Sequence, residues 1–320
     1  MTIDTQTVET ASMRFDILKA ALCDGTTRLG RLSFAGRATV ETPTYIAVTS
    51  RGAIPHLTPD NVSKHMNVGG VYMALEDFIE RPQAYSKRTP PLYQTPTTQK
   101  HTTRLHAFTA TPSSITTILS PRRLPAVPSP LGNTSKAISV FTSTGFQPLT
   151  IVEYISAAQT LQPDIVIPPS DLTHNDITPN SKRALRMAER TDEWIVDWFA
   201  SAPATSSTFA PILPIPYSVQ WEYVARLAED YLPTGQLSGL ALYDMDVLPD
   251  LLSFQPTLGP LPRLVLSNPQ TPHQLLRQIS LGADVFALPF VNTLSDAGLA
   301  LTFAFPRPQQ QNSPRASSSP

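Results

Sequence analysis

The chain has 320 residues, of which 33 are prolines and 15% are charged, well below the usual charged share of about 25%. Its net charge of −1 excludes a global electrostatic attraction to nucleic acid, so a polyanion would have to bind at a local patch. The single cysteine, Cys23, excludes an intramolecular disulfide and a multi-thiolate zinc site. No run reaches the roughly 18 apolar residues of a membrane span, so a soluble intracellular protein is the default expectation.

The N-terminal part differs in pattern from the rest of the chain. Residues 1–13 are expected to be flexible. Residues 14–42 have the pattern of antiparallel strands joined by a turn at Asp24-Gly25-Thr26-Thr27. We expect these strands to form a lid over one end of the domain that follows.

Short apolar runs rich in β-forming residues then alternate with amphipathic helical patterns. This alternation is typical of βα units around a parallel sheet. The predicted strands lie at 43–49, 70–77, 137–144, 164–171, 210–217, 238–245, 263–269 and 284–290. Eight such strands predict a (β/α)8 barrel. We prefer the barrel to an open doubly wound sheet because no glycine-rich dinucleotide fingerprint follows the first strand.

Four of the intervening helices have readable ends or faces. Thr58 with Pro59 predicts one helix start, and Thr271 with Pro272 predicts another helix that ends at Gly282. The other two helices are predicted to have apolar faces, made by Val152, Ile155, Ala158 and Leu161 in one and by Leu185, Ala188 and Trp194 in the other.

Two segments are irregular. The proline-rich residues 78–135 are predicted to be an insertion, because they are too long for an ordinary loop. Residues 306–320 are low in complexity and are predicted to be disordered. No helical pattern follows the eighth strand, so the eighth helix is expected to be missing. The barrel domain is thus predicted to span residues 14–305.

The order of motifs along residues 28–305 resembles that of the tRNA-guanine transglycosylases. Near the start, Gly52 and Leu57-Thr58-Pro59 match a G-x-x-x-x-LTP turn that follows a strand. Downstream, the same order is kept by LQPDIVIPPSD, SKRALRMAERTDEWIVDW, SGLALYD and PRLVLSNPQTPHQLLRQISLGADVF. Within the family, the closer likeness is to a non-catalytic accessory paralogue, on the runs TSRGAIPHLTPDNV and GADVFALPFVNTLSDAGLALTFAF.

The resemblance implies a base exchange at a tRNA anticodon ribose through a covalent glycosyl-aspartate. That chemistry requires a nucleophilic carboxylate and a second acid/base group. Ala287 occupies the nucleophile position of the family's G-x-D-x-F-D run, and Thr142 is aligned with the acid of the D-S-G-G-Y-Q run after strand three. Prolines in residues 212–217 replace a glycine-rich turn that cradles the base. The resemblance therefore implies a non-catalytic barrel subunit.

The family also carries a structural zinc, bound by a C-x-C-x-x-C run and a histidine just after the segment that resembles residues 299–305. This chain has only Cys23, and its six histidines lack metal-ligand spacing, so we predict no metal site in it. Zinc is expected in the full-length family. We interpret this chain as truncated before the zinc motif, with the zinc subdomain missing.

Several aspartates are candidates for a site at the strand tips. Asp171 follows strand four, where the family places a base-recognising aspartate, but a helix cap or turn former is the alternative. Asp244 and Asp246 flank the tip of strand six and are weaker candidates. Asp284 is expected to be structural, because it lies at the base of strand eight.

A basic stripe is formed on one predicted helix by Lys182, Arg183, Arg186 and Arg190, with Arg122 and Arg123 in the predicted insertion. Charge on a helix is usually a solvated face. The alternative is contact with tRNA phosphates, which position a nucleic acid without reading its sequence.

The leading hypothesis is a non-catalytic subunit that pairs with a catalytic transglycosylase and helps it to exchange guanine for queuine at tRNA wobble position 34. The resemblance implies a cytoplasmic heterodimer, with peripheral attachment to the mitochondrial outer membrane as one option. Two rivals stay open. One is an active enzyme that uses Asp171 or Asp244, and the other is a barrel scaffold that binds no RNA.

Overall fold

The computed structural model describes residues 7–10, 13–20, 26–80, 89–97, 100–130, 132–172, 178–300 and 302. Its fourteen strands in this part of the chain are β1 Thr7–Glu9, β2 Met13–Lys19, β3 Leu29–Phe34, β4 Val40–Thr42, β5 Thr44–Val48, β6 Gly70–Ala74, β7 Thr116–Ser120, β8 Ala137–Thr142, β9 Gly145–Thr150, β10 Ile165–Val166, β11 Ser207–Ile212, β12 Leu237–Leu242, β13 Arg263–Val265 and β14 Val285–Ala287. The predicted (β/α)8 barrel is confirmed: eight parallel strands close in the order β5, β6, β7, β10, β11, β12, β13 and β14.

The helices surround the barrel. They are α1 Pro59–His65, α2 Pro91–Gln94, α3 Arg104–Thr109, α4 Ile151–Leu161, α5 Ser181–Ser201, α6 Tyr217–Arg226, α7 Leu248–Phe254, α8 Pro272–Ser280 and α9 Pro289–Asp296. Thr58 and Thr271 are the N-cap residues of α1 and α8, as predicted. Only Thr271 makes a side-chain cap bond, accepting from the Gln274 N–H. Gly282 has a φ of +94° just after α8, a conformation that glycine adopts without strain.

The predicted apolar faces of α4 and α5 were partly wrong. Val152 is 71% exposed and Leu185 is 51% exposed, whereas Leu161 and Trp194 are buried. Successive residues of an α-helix are turned by about 100°, so residues nine apart lie on opposite sides. Val152 therefore cannot share a face with Leu161, nor Leu185 with Trp194. The buried side of α4 is made by Ile151, Tyr154, Ile155, Ala157, Ala158 and Leu161.

The N-terminal strands form the expected lid. β1 to β4 make an antiparallel sheet, and Met13, Phe15 and Ile17 of β2 pack in one apolar cluster with residues of the barrel interior. Two ion pairs attach this region to the strands' N-terminal ends: Arg28 to Asp284, just before β14, and Arg37 to Asp164, just before β10. The segment predicted to be flexible, 1–13, contains β1, and part of the predicted turn at 24–27 lies outside the described residues.

The third barrel strand was assigned wrongly from the sequence. It is β7, which lies inside the predicted insertion 78–135, and the described part of that segment also contains α2 and α3. The predicted strand 137–144 instead forms β8, which pairs antiparallel with β9 as a hairpin outside the barrel. Gly145, with a φ of +100°, follows the two-residue link and allows the tight reversal.

A short helix, α9, follows the eighth barrel strand, so the prediction that no helix is present there was wrong. Its eight residues bury only Pro289 and Phe290, and His56 binds its last residue, Asp296, with 2.7 Å between Nε2 and Oδ1. Residues 306–320 lie outside the described part. Within the described residues, no helix combines the length and the apolar character needed to cross a bilayer.

Candidate functional site

In (β/α)8 enzymes the active site lies at the C-terminal ends of the barrel strands. We call this end the barrel mouth. It is lined by Tyr72, Ser120, Pro121, Arg122, Arg123, Leu124, Ile138, Ser170, Leu172 and Tyr243. The cavity that these residues enclose has a volume of ≈ 10 Å³, which is about the space of one water molecule. Small-molecule sites usually measure about 300 Å³ or more. A cavity of this size has no room for a nucleobase.

The tip of the eighth strand carries no reactive group. Ala287 is the last residue of β14, is 1% exposed, and belongs to the apolar cluster of the barrel interior. Its methyl side chain can neither attack a sugar carbon nor move a proton.

The tip of the third strand differs from what the sequence suggested. Because β7 is the third barrel strand, the residues at its tip are Pro121, Arg122 and Arg123. Thr142 lies at the end of the hairpin strand β8, so its assignment to the acid/base position was wrong. Its hydroxyl lies 2.8 Å from the Glu80 carbonyl and 2.9 Å from the Gly145 carbonyl. The third tip thus presents guanidinium groups and no carboxylate.

Arg123 is held by carboxylates at the mouth. Its Nε donates to Glu76 Oε1 at 3.0 Å, and its Nη2 lies 2.9 Å from Asp77 Oδ1. The guanidinium also lies 5.4 Å from the ring centre of Phe141, a cation–π distance. Burial raises the pKa of Asp77, and the charge of Arg123 opposes that rise.

Arg122 is more deeply buried and has no direct carboxylate partner. The residue is 8% exposed, and its Nη2 donates to Asn133 Oδ1 at 2.8 Å. Its carbonyl accepts a hydrogen bond from the Tyr72 hydroxyl at 2.7 Å. Its buried Nε has no hydrogen-bond partner among the described residues. Burial lowers the pKa of this guanidinium. Both arginines were seen in the sequence, but their place at the strand tip was missed.

Asp171 lies at the mouth, as predicted, but its carboxylate is bound within the protein. It is 0% exposed, and its Oδ1 accepts from Arg183 Nη2 at 2.5 Å and from Asn133 Nδ2 at 2.8 Å. Its Oδ2 accepts from Arg190 Nη1 at 3.2 Å. Three donors therefore occupy the two oxygens, and this arrangement favours a structural role for Asp171 over base recognition.

The structure divides the predicted basic stripe on α5 into two parts. Arg183 and Arg190 turn inward to Asp171, and their side chains are 26% and 19% exposed. Lys182 and Arg186 are exposed to solvent. Because α5 begins after a barrel strand ends, these two exposed cations lie on the side of the mouth. Whether they contact tRNA phosphates stays a prediction.

At two further strand tips, polar groups are bound within the protein. Asp244 caps a single turn of 3₁₀ helix by accepting from the Asp246 N–H at 3.0 Å, and Asp246 pairs with Arg277 on the surface. After β11, the buried Gln220 accepts from the Leu213 N–H at 3.1 Å and donates to the Leu213 and Ile215 carbonyls. These backbone groups would have to be free to cradle a base. Gln220 had not been identified from the sequence.

Asp284 has the structural role that was predicted. It is 0% exposed and accepts two hydrogen bonds from Arg28, through Nε at 3.0 Å and Nη2 at 2.6 Å, and one from the Arg263 N–H at 2.8 Å. It lies at the N-terminal end of β14, opposite the mouth.

A zinc ion does not fit the described residues. Among them, no group of three or more His, Cys, Asp or Glu side chains is close enough together to hold a metal. Cys23 and His174 lie outside the described part of the chain.

Comparison with known proteins gives two matches. Residues 23–315 match the family model described as queuine tRNA-ribosyltransferase. The chain is also 31% identical over 278 residues to the queuine tRNA-ribosyltransferase accessory subunit 2 of Schizosaccharomyces pombe. That match covers 85% of this chain and 58% of the yeast protein, so the chain spans less than two thirds of its relative's length.

Proposed function

Because this chain belongs to the queuine tRNA-ribosyltransferase family, we propose that it is a non-catalytic subunit of a two-subunit transglycosylase. In this proposal, a catalytic partner exchanges guanine for queuine at the tRNA wobble position, and this chain supports the reaction. The observation that carries the proposal is the barrel mouth. Its strand tips present Ala287 and the Arg122–Arg123 pair in place of carboxylates, around a cavity of only ≈ 10 Å³.

The chemistry explains why this mouth would not act alone. Exchange through a covalent intermediate needs a carboxylate beneath the anomeric carbon and a second group that protonates the leaving base. Asp171 and Asp244 are the rival carboxylates at the strand tips. The first is bound by Arg183, Arg190 and Asn133, and the second caps a helical turn. Both oxygens of Asp171 and one oxygen of Asp244 therefore already accept hydrogen bonds within the protein.

The supporting role would consist of holding the tRNA. Lys182 and Arg186, exposed beside the mouth, suit contact with phosphates, which orient an RNA without selecting its sequence. The name of the yeast relative, an accessory subunit, agrees with a chain that works beside another. We place the complex in the cytoplasm, with peripheral attachment to the mitochondrial outer membrane as the alternative.

Reconstitution tests this proposal. The chain, the catalytic transglycosylase subunit of the same organism, and an equimolar mixture are each incubated with cognate tRNA and labelled queuine. We expect no incorporation by the chain alone and a higher initial rate for the mixture than for the catalytic subunit. A mixture no faster than the catalytic subunit would contradict the proposal. Incorporation by the chain alone that is lost in Asp171→Ala or Asp244→Ala would support the active-enzyme rival.

Salt-dependent tRNA binding tests the RNA contact separately. In the Lys182→Glu/Arg186→Glu variant, the slope of log K against log salt should fall by about 2, since roughly one unit is lost per phosphate contact. Lys64→Glu, at an exposed position on α1, is the matched control and should have a smaller effect. An unchanged slope in the double variant would favour the scaffold without RNA binding.

A further inference from the structure

The charges around the barrel mouth do not balance. The mouth network contains four guanidinium groups, on Arg122, Arg123, Arg183 and Arg190, and three carboxylates, on Glu76, Asp77 and Asp171. All three carboxylates bind arginines other than Arg122. Among the described residues, this network therefore carries one excess positive charge, and Arg122 is the guanidinium in it that has no direct carboxylate contact.

The excess positive charge is unfavourable at Arg122 because this side chain is buried. A buried charge is unfavourable unless a partner compensates it, and a buried donor without an acceptor adds a further penalty. Arg122 is only 8% exposed, so bulk water hardly solvates its charge. The acceptor of its Nη2, Asn133, is a neutral amide and supplies no counter-charge. The Nε of Arg122 is buried and has no partner among the described residues.

A small polar cavity lies against this side chain. Arg122 lines the ≈ 10 Å³ cavity of the mouth together with Tyr243, whose hydroxyl accepts a hydrogen bond from Ser170 and can itself donate one. The space suits one particle of about the size of a water molecule. Phosphate, sulfate and carboxylate ligands are too large for it.

We propose that the barrel mouth binds one monovalent anion of halide size, chloride being the available ion, with Arg122 as its main ligand. The anion neutralises the excess charge of the mouth network and accepts the hydrogen bond that the Arg122 Nε otherwise lacks. The anion site depends only on the mouth's charge, burial and volume. It is therefore independent of the role proposed for the chain in base exchange.

Bromide provides a direct probe of this site. Crystals of the full chain grown in sodium bromide should give an anomalous peak in the mouth, within hydrogen-bond range of the Arg122 Nε. The peak should be absent from crystals grown in sodium gluconate. An ordered water only, with no anomalous signal in bromide, would overturn the proposal. This measurement needs no variant, so it remains decisive if changes at Arg122 prevent folding.

Thermal unfolding in matched salts tests the energetic consequence. An ion that binds only the folded state stabilises it as its concentration exceeds Kd. At tenfold Kd, sodium chloride should raise the Tm by on the order of 2 °C above sodium gluconate at equal ionic strength, in a saturable manner. Arg122→Met should abolish this difference, whereas Arg186→Met, at an exposed arginine, should keep it. Equal Tm values for the wild-type chain in the two salts would also overturn the proposal.

Discussion

The two ends of the barrel are both closed by arginines, but the arginines are compensated differently. At the N-terminal end, Arg28 is bound by Asp284 and Arg37 by Asp164, beneath an antiparallel sheet whose apolar side chains continue the barrel core. At the mouth, Asp171 is shared between two arginines that are partly exposed. Each end also holds one buried arginine whose side chain has no direct carboxylate contact among the described residues, Arg263 at the N-terminal end and Arg122 at the mouth. The paired arginines are therefore buried at the N-terminal end and partly exposed at the mouth.

The difference between the two ends follows from their separate roles in barrel enzymes. Barrel enzymes place their conserved chemistry at the mouth and only structure at the opposite end. In this chain the N-terminal end keeps its pairs, and the mouth is filled by side chains that bind one another. Polar groups that would face a substrate instead satisfy each other, as Gln220 does for the loop after β11. Three predictions follow from the contrast between the two ends.

The largest effect is expected at the N-terminal end. Asp284→Ala removes the carboxylate that binds Arg28, whose side chain is only 6% exposed. Breaking a buried pair by removing one partner costs about 3–5 kcal/mol, because the other charge stays buried. Denaturant unfolding should report a loss in that range. Asp246→Ala removes the partner of the surface residue Arg277 and serves as the control, with little expected change.

A smaller loss is expected at the mouth. Asp171→Ala also removes a buried carboxylate, but Arg183 and Arg190 are 26% and 19% exposed and can turn towards water. We expect a loss of about 1–3 kcal/mol in the free energy of unfolding, which is typical of a deleted buried hydrogen-bonding group. If Asp171→Ala cost as much as Asp284→Ala, the two ends would not differ as described.

The smallest effect is a pH dependence at the N-terminal end. His106 is 1% exposed, and its Nε2 lies 2.9 Å from the Ile115 carbonyl. Burial lowers the pKa of His106 below its ordinary value of 6.5, so the unfolded chain takes up a proton more readily than the folded chain. The contribution of His106 to the free energy of unfolding is therefore fully present above pH 6.5. It decreases as the pH falls below 6.5, by at most about 1.4 kcal/mol per pH unit.

Unfolding measured across this pH range checks the assignment. His106→Gln should remove that component of the pH profile, whereas His65→Gln, at an exposed position on α1, should leave it in place. A profile that is unchanged in His106→Gln would assign the effect to other groups.

The barrel could be predicted from the sequence because seven of its eight strands follow the βα rhythm. The third could not, since prolines surround Thr116–Ser120 and the more regular run at 137–144 has the same apolar character. Periodicity detects a strand but not its partner. A hairpin signal was present, however: two β-rich runs are separated by two residues, with Gly145 at the reversal.

Site residues were predictable where local position decides their role. Asp284 directly precedes a strand, so its place at the N-terminal end followed from sequence order. The role of Asp171 could not be predicted in this way, because its partners Asn133, Arg183 and Arg190 come from two other segments. The error at Thr142 followed from the error in the third strand. Once that strand is corrected, the same tip carries Arg122, so the mouth still lacks a carboxylate there.

The small volume of the mouth cavity has one more consequence, for how such a chain can change during evolution. A barrel whose mouth cavity holds about one water molecule offers larger molecules its outer surface, where helices such as α5 and α6 lie. Substitutions on solvent-facing helix positions usually alter stability by less than about 0.5 kcal/mol. Substitutions in the outer helices can therefore adapt the chain to a new protein partner while the barrel core stays unchanged.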